Sequence, residues 1–267
     1  MSDPTIISTV RHRAESAAES IDDQLAVEEP LEIRVQGHSV AITMRTPGHD
    51  EELAIGFLCT EDVVRHPDDI LDLDVCSAEG DSRGNIVNVT LRDPDSVDLR
   101  KLSRRVFTSS SCGLCGKSTI DAVCGNHPPI SSSNVIRPAL PTLFALPEQL
   151  WAAQTTFQST GGLHAAGLFS ADGEIGQVRE DVGRHNAVDK VIGRLLLDRG
   201  DPSKLGLLVS GRIAFEIVQK ALIARVGFVA GISAPTSLAV DLARRSGQTL
   251  VGFLRDERCN VYAGELG

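Results

Sequence analysis

The stretch from Leu205 to Phe253, LGLLVSGRIAFEIVQKALIARVGFVAGISAPTSLAVDLARRSGQTLVGF, decides the fold. Its apolar runs Leu205–Val209, Gly227–Ile232 and Thr249–Phe253 alternate with stretches of helical period, Ile213–Ala224 and Thr236–Arg245. Strands that are apolar at almost every position must be covered on both faces, and connections long enough for a helix let neighbouring strands run the same way. The pattern predicts an α/β architecture in which a mostly parallel sheet is covered by helices. Working outward, a final short strand is expected near Cys259–Tyr262. Upstream lie an amphipathic helix over about Asn186–Asp198, a strand near Glu174–Arg179 and a helix over Glu148–Phe157.

Further upstream the period changes to two. Leu31, Ile33 and Val35 alternate, Gly37 interrupts, and Val40, Ile42 and Met44 resume, which predicts a hairpin. Asp50, Glu51 and Glu52 place negative charge where a new helix exposes its N–H groups, and that helix is expected to reach about Glu61. Strands are expected over Ile70–Cys76 and Ile86–Leu91 around the turn-forming Gly80–Gly84. The organisation expected is therefore a mobile polar arm over 1–29, a smaller α+β part over 30–127, and the regular α/β part over 128–267. The Pro/Ser-rich span from Asn126 to Pro147 reads as irregular.

Composition narrows the function. The 267 residues carry 26 Lys+Arg against 36 Asp+Glu, a formal charge of −10, which repels nucleic-acid backbones and anionic lipid surfaces. With one Trp, one Tyr and eight Phe there is little material for stacking unpaired bases. No window approaches the ~18 apolar residues of a membrane span, and no secretory signal opens the chain. The expectation is a cytoplasmic protein that neither binds nucleic acid nor inserts into a membrane.

Six cysteines, two of them in Cys112-Gly-Leu-Cys115, suit a reducing compartment where thiols react or bind metal. The surrounding Ser109–Ser111, Gly113 and Gly116 are small. Lys117 and a helix expected from about Ser118 would stabilise a thiolate. Spacing alone leaves a zinc site open, because Cys124-x2-His127 follows the pair. The accessible Gly/Ser surround and the lack of a second C-x-x-C favour a carrier thiol. Cys59, Cys76 and Cys259 read as small hydrophobes in apolar elements.

Gly161-Gly-Leu-His164-Ala-Ala166 is similar to the H-x-E of zinc deaminases, but position 166 is Ala where the proton-shuttling Glu belongs, and the Cys pair precedes the His. Deaminase catalysis is therefore not expected, and His164 reads as either pocket-lining or core. The cationic pieces Arg184-His185-Asn186 and Ser210-Gly-Arg212 each stand ahead of a predicted helix, where phosphate can be held; solvated arginines and ordinary caps are the alternative.

The Ser109–Lys117 loop, Thr160–Ala166, the run Arg179-Glu-Asp-Val-Gly-Arg-His-Asn-Ala-Val-Asp-Lys190, Ser210-Gly-Arg and Ser233-Ala-Pro-Thr-Ser-Leu-Ala-Val together resemble the FdhD family, over about Pro30–Tyr262. The resemblance implies a cytidine deaminase-like layered C-terminal part. It implies a sulfurtransferase-type sulfur carrier that takes persulfide sulfur from a cysteine desulfurase and delivers it to the molybdenum cofactor, a bis(molybdopterin guanine dinucleotide), for formate dehydrogenase. The persulfide-bearing residue matches Cys112, with Cys115 its neighbour. The cofactor-binding segment matches Phe253, Leu254, Arg255, Asp256, Glu257 and Arg258, where Asp256 and Glu257 are more acidic than the family's Gly/Pro-containing versions. GDP would serve as an analogue of the client, no resident metal is implied, and a homodimer is. The alternative is a zinc-binding interaction module using Cys112, Cys115, Cys124 and His127.

Overall fold

The computed structural model describes residues 3–14, 16–77, 84–96 and 116–267. The C-terminal part is built on a six-stranded sheet. Its strands are β7 (His164–Ser170), β8 (Ile175–Asp181), β9 (Leu205–Val209), β10 (Phe228–Gly231), β11 (Thr249–Arg255) and β12 (Arg258–Ala263), in the order β12-β11-β10-β9-β7-β8. The β9–β10 and β10–β11 pairs are parallel, as the sequence pattern predicts. The pairs β7–β8, β7–β9 and β11–β12 are antiparallel, so the sheet is mixed and the expectation of a mostly parallel one is corrected. The reason is connection length: only short turns join β7 to β8 and β11 to β12, and a strand reversed by a short turn can only pair antiparallel.

Both faces of this sheet are covered. Leu207, Val209, Val229 and Leu250 point to one side. There they meet α2 (Gly116–Asn126), α5 (Arg184–Leu197), α6 (Phe215–Ile223) and α7 (Ser237–Ser246), the last three joining consecutive strands. Leu208, Phe228, Ala230 and Val251 point to the other, against Leu143, Leu146 and Leu150 of α3 (Leu140–Ala153). This helix begins inside the span read as irregular. Pro141 is tolerated because the first turn has no N–H partners to lose, and burial of the three leucines outweighs Pro147 in the interior. A short α4 (Thr155–Thr160) follows.

The N-terminal part is a four-stranded sheet of order β4-β3-β6-β5, from β3 (Glu29–Val35), β4 (His38–Arg45), β5 (Ile70–Cys76) and β6 (Ile86–Leu91), with α1 (Asp50–Thr60) packed on it. Gln36 and Gly37, at φ 54° and 76°, make the two-residue turn whose twist suits a hairpin. A bulge at Ile33/Arg34 breaks the expected alternation. Val40 and Ala41 are both buried, while Ile42 and Met44 turn outward, 68% and 47% exposed. In the segment expected as a polar arm, β1 (Thr5–Arg11) and β2 (Glu19–Leu25) form an antiparallel ladder in which nearly every residue is exposed.

The two parts meet where α1 crosses α5. A methyl group on Gly56 would lie 1.7 Å from the Asp189 carbonyl oxygen, and one on Gly193 would lie 1.8 Å from that of Glu52. Around this crossing Arg179, Asp181, Asp189 and Lys190 of the Arg179–Lys190 run are consumed in a polar seam. Arg179 donates to both Glu52 carboxylate oxygens at 2.6 and 2.8 Å. Lys190 Nζ lies 2.7 Å from Asp181 Oδ2 with both side chains fully buried, and it donates to the Thr46 carbonyl at 2.9 Å. Lys220 Nζ reaches both Asp189 oxygens at 2.8 Å, and Thr60 Oγ1 donates to the same carboxylate at 2.9 Å. Among the described residues no helix is long and apolar enough to cross a membrane.

Candidate functional site

Cys112 and Cys115 lie outside the described residues. The helix that follows them is described: α2 starts at Gly116, directly after Cys115 in the chain and two residues earlier than expected. A helix N-terminus carries partial positive charge, which favours a thiolate held near it. Ile120 and Val123 anchor α2 in the main core, and Asp121 Oδ1 accepts from Arg245 Nη2 on α7 at 2.6 Å. The chain beyond the cysteine pair is therefore rigidly seated.

Cys124 and His127, the remaining members of the zinc alternative, sit at the far end of α2. Cys124 packs partly buried against the core, and His127 Nε2 is 4.0 Å from Asp62 Oδ2. Burial pushes the His127 imidazole below its usual pKa, against the pull of Asp62. Among the described residues no group of three or more His, Cys, Asp or Glu side chains is arranged to hold a metal. Cys59 is buried, and Cys76 and Cys259 are half-buried. Burial raises the Cys259 thiol, so none of the described shifts prepares a thiolate.

The other sequence candidates gather at the C-terminal ends of β9, β10 and β11, the edge where open α/β sheets receive ligands. Ser210-Gly-Arg212 leaves β9 there. Ile213 pairs with Pro235 of the loop after β10, and Phe253 N donates to the Ser233 carbonyl at 3.1 Å, so these two loops and the end of β11 form one strip. Gly211 matters to this packing, because a Cβ on it would be 3.3 Å from His164 Nδ1 and 3.7 Å from Arg184 Cβ. His164 and the N-terminus of α5 thus stand beside the strip. Burial, reinforced by Arg184 and His185, lowers the His164 pKa and keeps that ring neutral near pH 7. His185 Nε2 is 2.8 Å from Glu216 Oε2.

The structure separates these candidates by availability. Asn186 is occupied, its amide donating to the Met44 carbonyl at 2.8 Å and to Asp181 at 2.9 Å. Ser210 is occupied too, exchanging hydrogen bonds with the Ala165 backbone at 2.9 Å. Arg184 is not: its Nε is buried without a partner among the described residues, and Arg212 is exposed. An unpaired buried donor is costly, so a polar group belongs beside Arg184. This open donor, invisible in the sequence, is the strongest local sign of a ligand.

Phe253–Arg258 spans the end of β11 and the turn into β12. Asp256 and Glu257 both have φ 52°, the left-handed pair that Asn-Gly normally supplies, so backbone geometry survives their acidic side chains. Leu254 is fully buried and fixes the strand, while Arg255, Asp256, Glu257 and Arg258 are exposed. The Arg255 guanidinium lies 5.8 Å from the Phe253 ring centre, and Arg258 Nη2 is 3.7 Å from Asp256 Oδ2.

Comparison with known proteins agrees with this arrangement. The model of the FdhD/NarQ family matches residues 26–266. A protein of Streptomyces coelicolor named sulfur carrier protein FdhD is 49% identical, over 94% of this chain and 90% of its own. Proteins of the same name from Mycobacterium tuberculosis and Sulfurisphaera tokodaii are 48% and 46% identical, covering 95% and 90% of this chain and 94% and 90% of their own. A crystal structure from Desulfotalea psychrophila, described as that of a formate dehydrogenase accessory protein, shares the fold with a TM-score of 0.78 at 24% identity, over 98% of both chains. With the family pattern matched from the end of β2 to the last strand, the chain belongs to the FdhD/NarQ family.

Proposed function

We propose that this chain carries sulfur as a persulfide on Cys112, accepting it from a cysteine desulfurase and passing it to the molybdenum cofactor, a bis(molybdopterin guanine dinucleotide), for formate dehydrogenase. The observation that carries the reading is the 46–49% identity, over nearly the whole chain, to proteins named sulfur carriers. The strand order β8-β7-β9-β10-β11, with β7 reversed against its neighbours and helices on both faces, supports the deaminase-like layering that belongs to the same reading.

The chemistry balances within the pair. The Cys112 thiolate attacks the terminal sulfur of the donor persulfide; the new Cys112 Sγ–S bond forms, the donor S–S bond breaks, and the donor leaves as a thiolate. Releasing that sulfur as hydrosulfide needs two electrons. Cys115 supplies them by attacking Cys112 Sγ, which leaves a Cys112–Cys115 disulfide that an external dithiol reductant must return to two thiols before the next transfer. The client is a polyanion, and a chain of charge −10 binds it only through local donors. Arg184 Nε, Arg212 and the N-terminus of α5 suit its phosphates, while the Phe253–Arg258 backbone and the Arg255 and Arg258 side chains flank them.

Intact-mass spectrometry after incubation with a desulfurase and cysteine should show the gain of one sulfur atom, lost in Cys112→Ala. Retention of the added sulfur in that variant would overturn the assignment. Metal analysis of the same sample separates the zinc module, which would instead hold stoichiometric zinc and take up no sulfur. Calorimetry with GDP should give heat that Arg184→Ala reduces; no heat at high concentration would sink the nucleotide-pocket reading.

A further inference from the structure

Three helix ends converge on a cleft at the opposite edge of the sheet, and all three break the same local rule. Where α4 and α7 stop, the chain uses Gly161 and Gly247, at φ 67° and 70°, the residue that adopts the left-handed cap without a Cβ penalty. Where α1, α5 and α6 stop, the same position holds Asp62, Arg199 and Arg225, at φ 63°, 54° and 62°. The cap bonds are otherwise regular, with Val63 N to Leu58 O at 2.8 Å, Gly200 N to Leu195 O at 2.9 Å and Val226 N to Ala221 O at 2.8 Å. All three charged residues line one cleft of about 630 Å³. Strain of this kind persists where the side chain has a use that glycine cannot meet.

The cleft has an apolar floor that includes Ile192, Leu195, Leu196 and Ile223, and a charged rim. Asp62 is engaged by Arg65 at 2.8 and 2.9 Å, and Arg199 is paired with Asp68. Arg225 differs: among the described residues its hydrogen-bond acceptor is the Pro128 carbonyl, at 2.7 Å from Nη1, with no carboxylate paired to it. A guanidinium with donors to spare over an apolar floor matches a carboxylate on a hydrophobic body. The cleft also receives the C-terminal ends of three helices, whose partial negative charge disfavours anions in proportion to their charge, so a nucleotide is opposed more strongly than the single carboxylate that Arg225 can offset.

We propose that this cleft binds a small organic monoanion with an apolar body, its carboxylate held by Arg225. Pro202 and Arg225 precede β9 and β10, whereas Ser210 and Ser233 follow them, so this site lies away from the strip assigned to the carrier's client and stands independently of it.

The test uses the full chain with decanoate as probe and decanol as its neutral counterpart, read by calorimetry and by thermal unfolding. Decanoate should bind, decanol should bind at least about tenfold more weakly, and Arg225→Gln, which keeps a side chain on the strained backbone but removes the charge, should lose about as much. Arg225→Gly, which removes the guanidinium and suits the left-handed backbone, should abolish the preference for decanoate. Equal binding of decanoate and decanol, full decanoate affinity in Arg225→Gln, or absence of decanoate binding would each overturn the proposal.

Discussion

Burial pushes the Cys59 thiol up to about 12, and the nearby Asp189 carboxylate adds to the effect more than Lys220 offsets it. A thiol that stays protonated is a poor nucleophile, so Cys59 is packing, as its place among the apolar residues of α1 predicts. Brief alkylation at pH about 8 followed by peptide mapping should leave Cys59 unmodified in the folded protein; labelling at the rate of a free model thiol would contradict its burial. Gly56 carries the opposite lesson. Nothing in its sequence surroundings marks it, yet Gly56→Ala drives a methyl group into the Asp189 carbonyl. Urea unfolding of that variant should show a loss of about 1–3 kcal/mol or more, since neither backbone can move without parting the helices.

At the scale of elements, α1 is fastened to β8 by the Glu52–Arg179 pair. Burial alone would raise the Glu52 pKa, but the Arg179 hydrogen bonds, joined by His49, hold it at about 2. A carboxyl depressed on folding contributes stability that is complete above its unfolded value, about 4.5, and disappears as pH falls toward the folded value. Urea midpoints should therefore fall between pH about 4.5 and about 2, and Glu52→Gln should flatten that part of the profile. An unchanged slope in the variant would mean that other carboxylates carry the acid sensitivity. The same scale explains β4. Its apolar alternation is plain in sequence, but one bulge in the ladder sends Ile42 and Met44 to the outer face.

For the whole molecule, the seam between the two sheets depends on Lys190 and Asp181, both fully buried. Lys190→Met leaves Asp181 charged and without its cation in the interior, which should cost about 3–5 kcal/mol and lower the unfolding temperature of both parts together. If only one part melted early, the seam would not couple them. From β8 onward the strand and helix positions were legible in the sequence, because covered strands are apolar throughout and the helices between them show their period; β7 and the first half of α3 were not, and the helix expected over Glu148–Phe157 is divided at Gln154. Tertiary structure alone decided the mixed direction of the sheet, the glycine crossing of α1 and α5, the fate of the Arg179–Lys190 run, and which cationic residues keep free donors. Those features depend on which distant groups meet: Asn186 was spent on Met44 and Asp181, whereas Arg184 beside it kept a buried donor open. A sequence states what each side chain offers; only the fold determines what has already been taken.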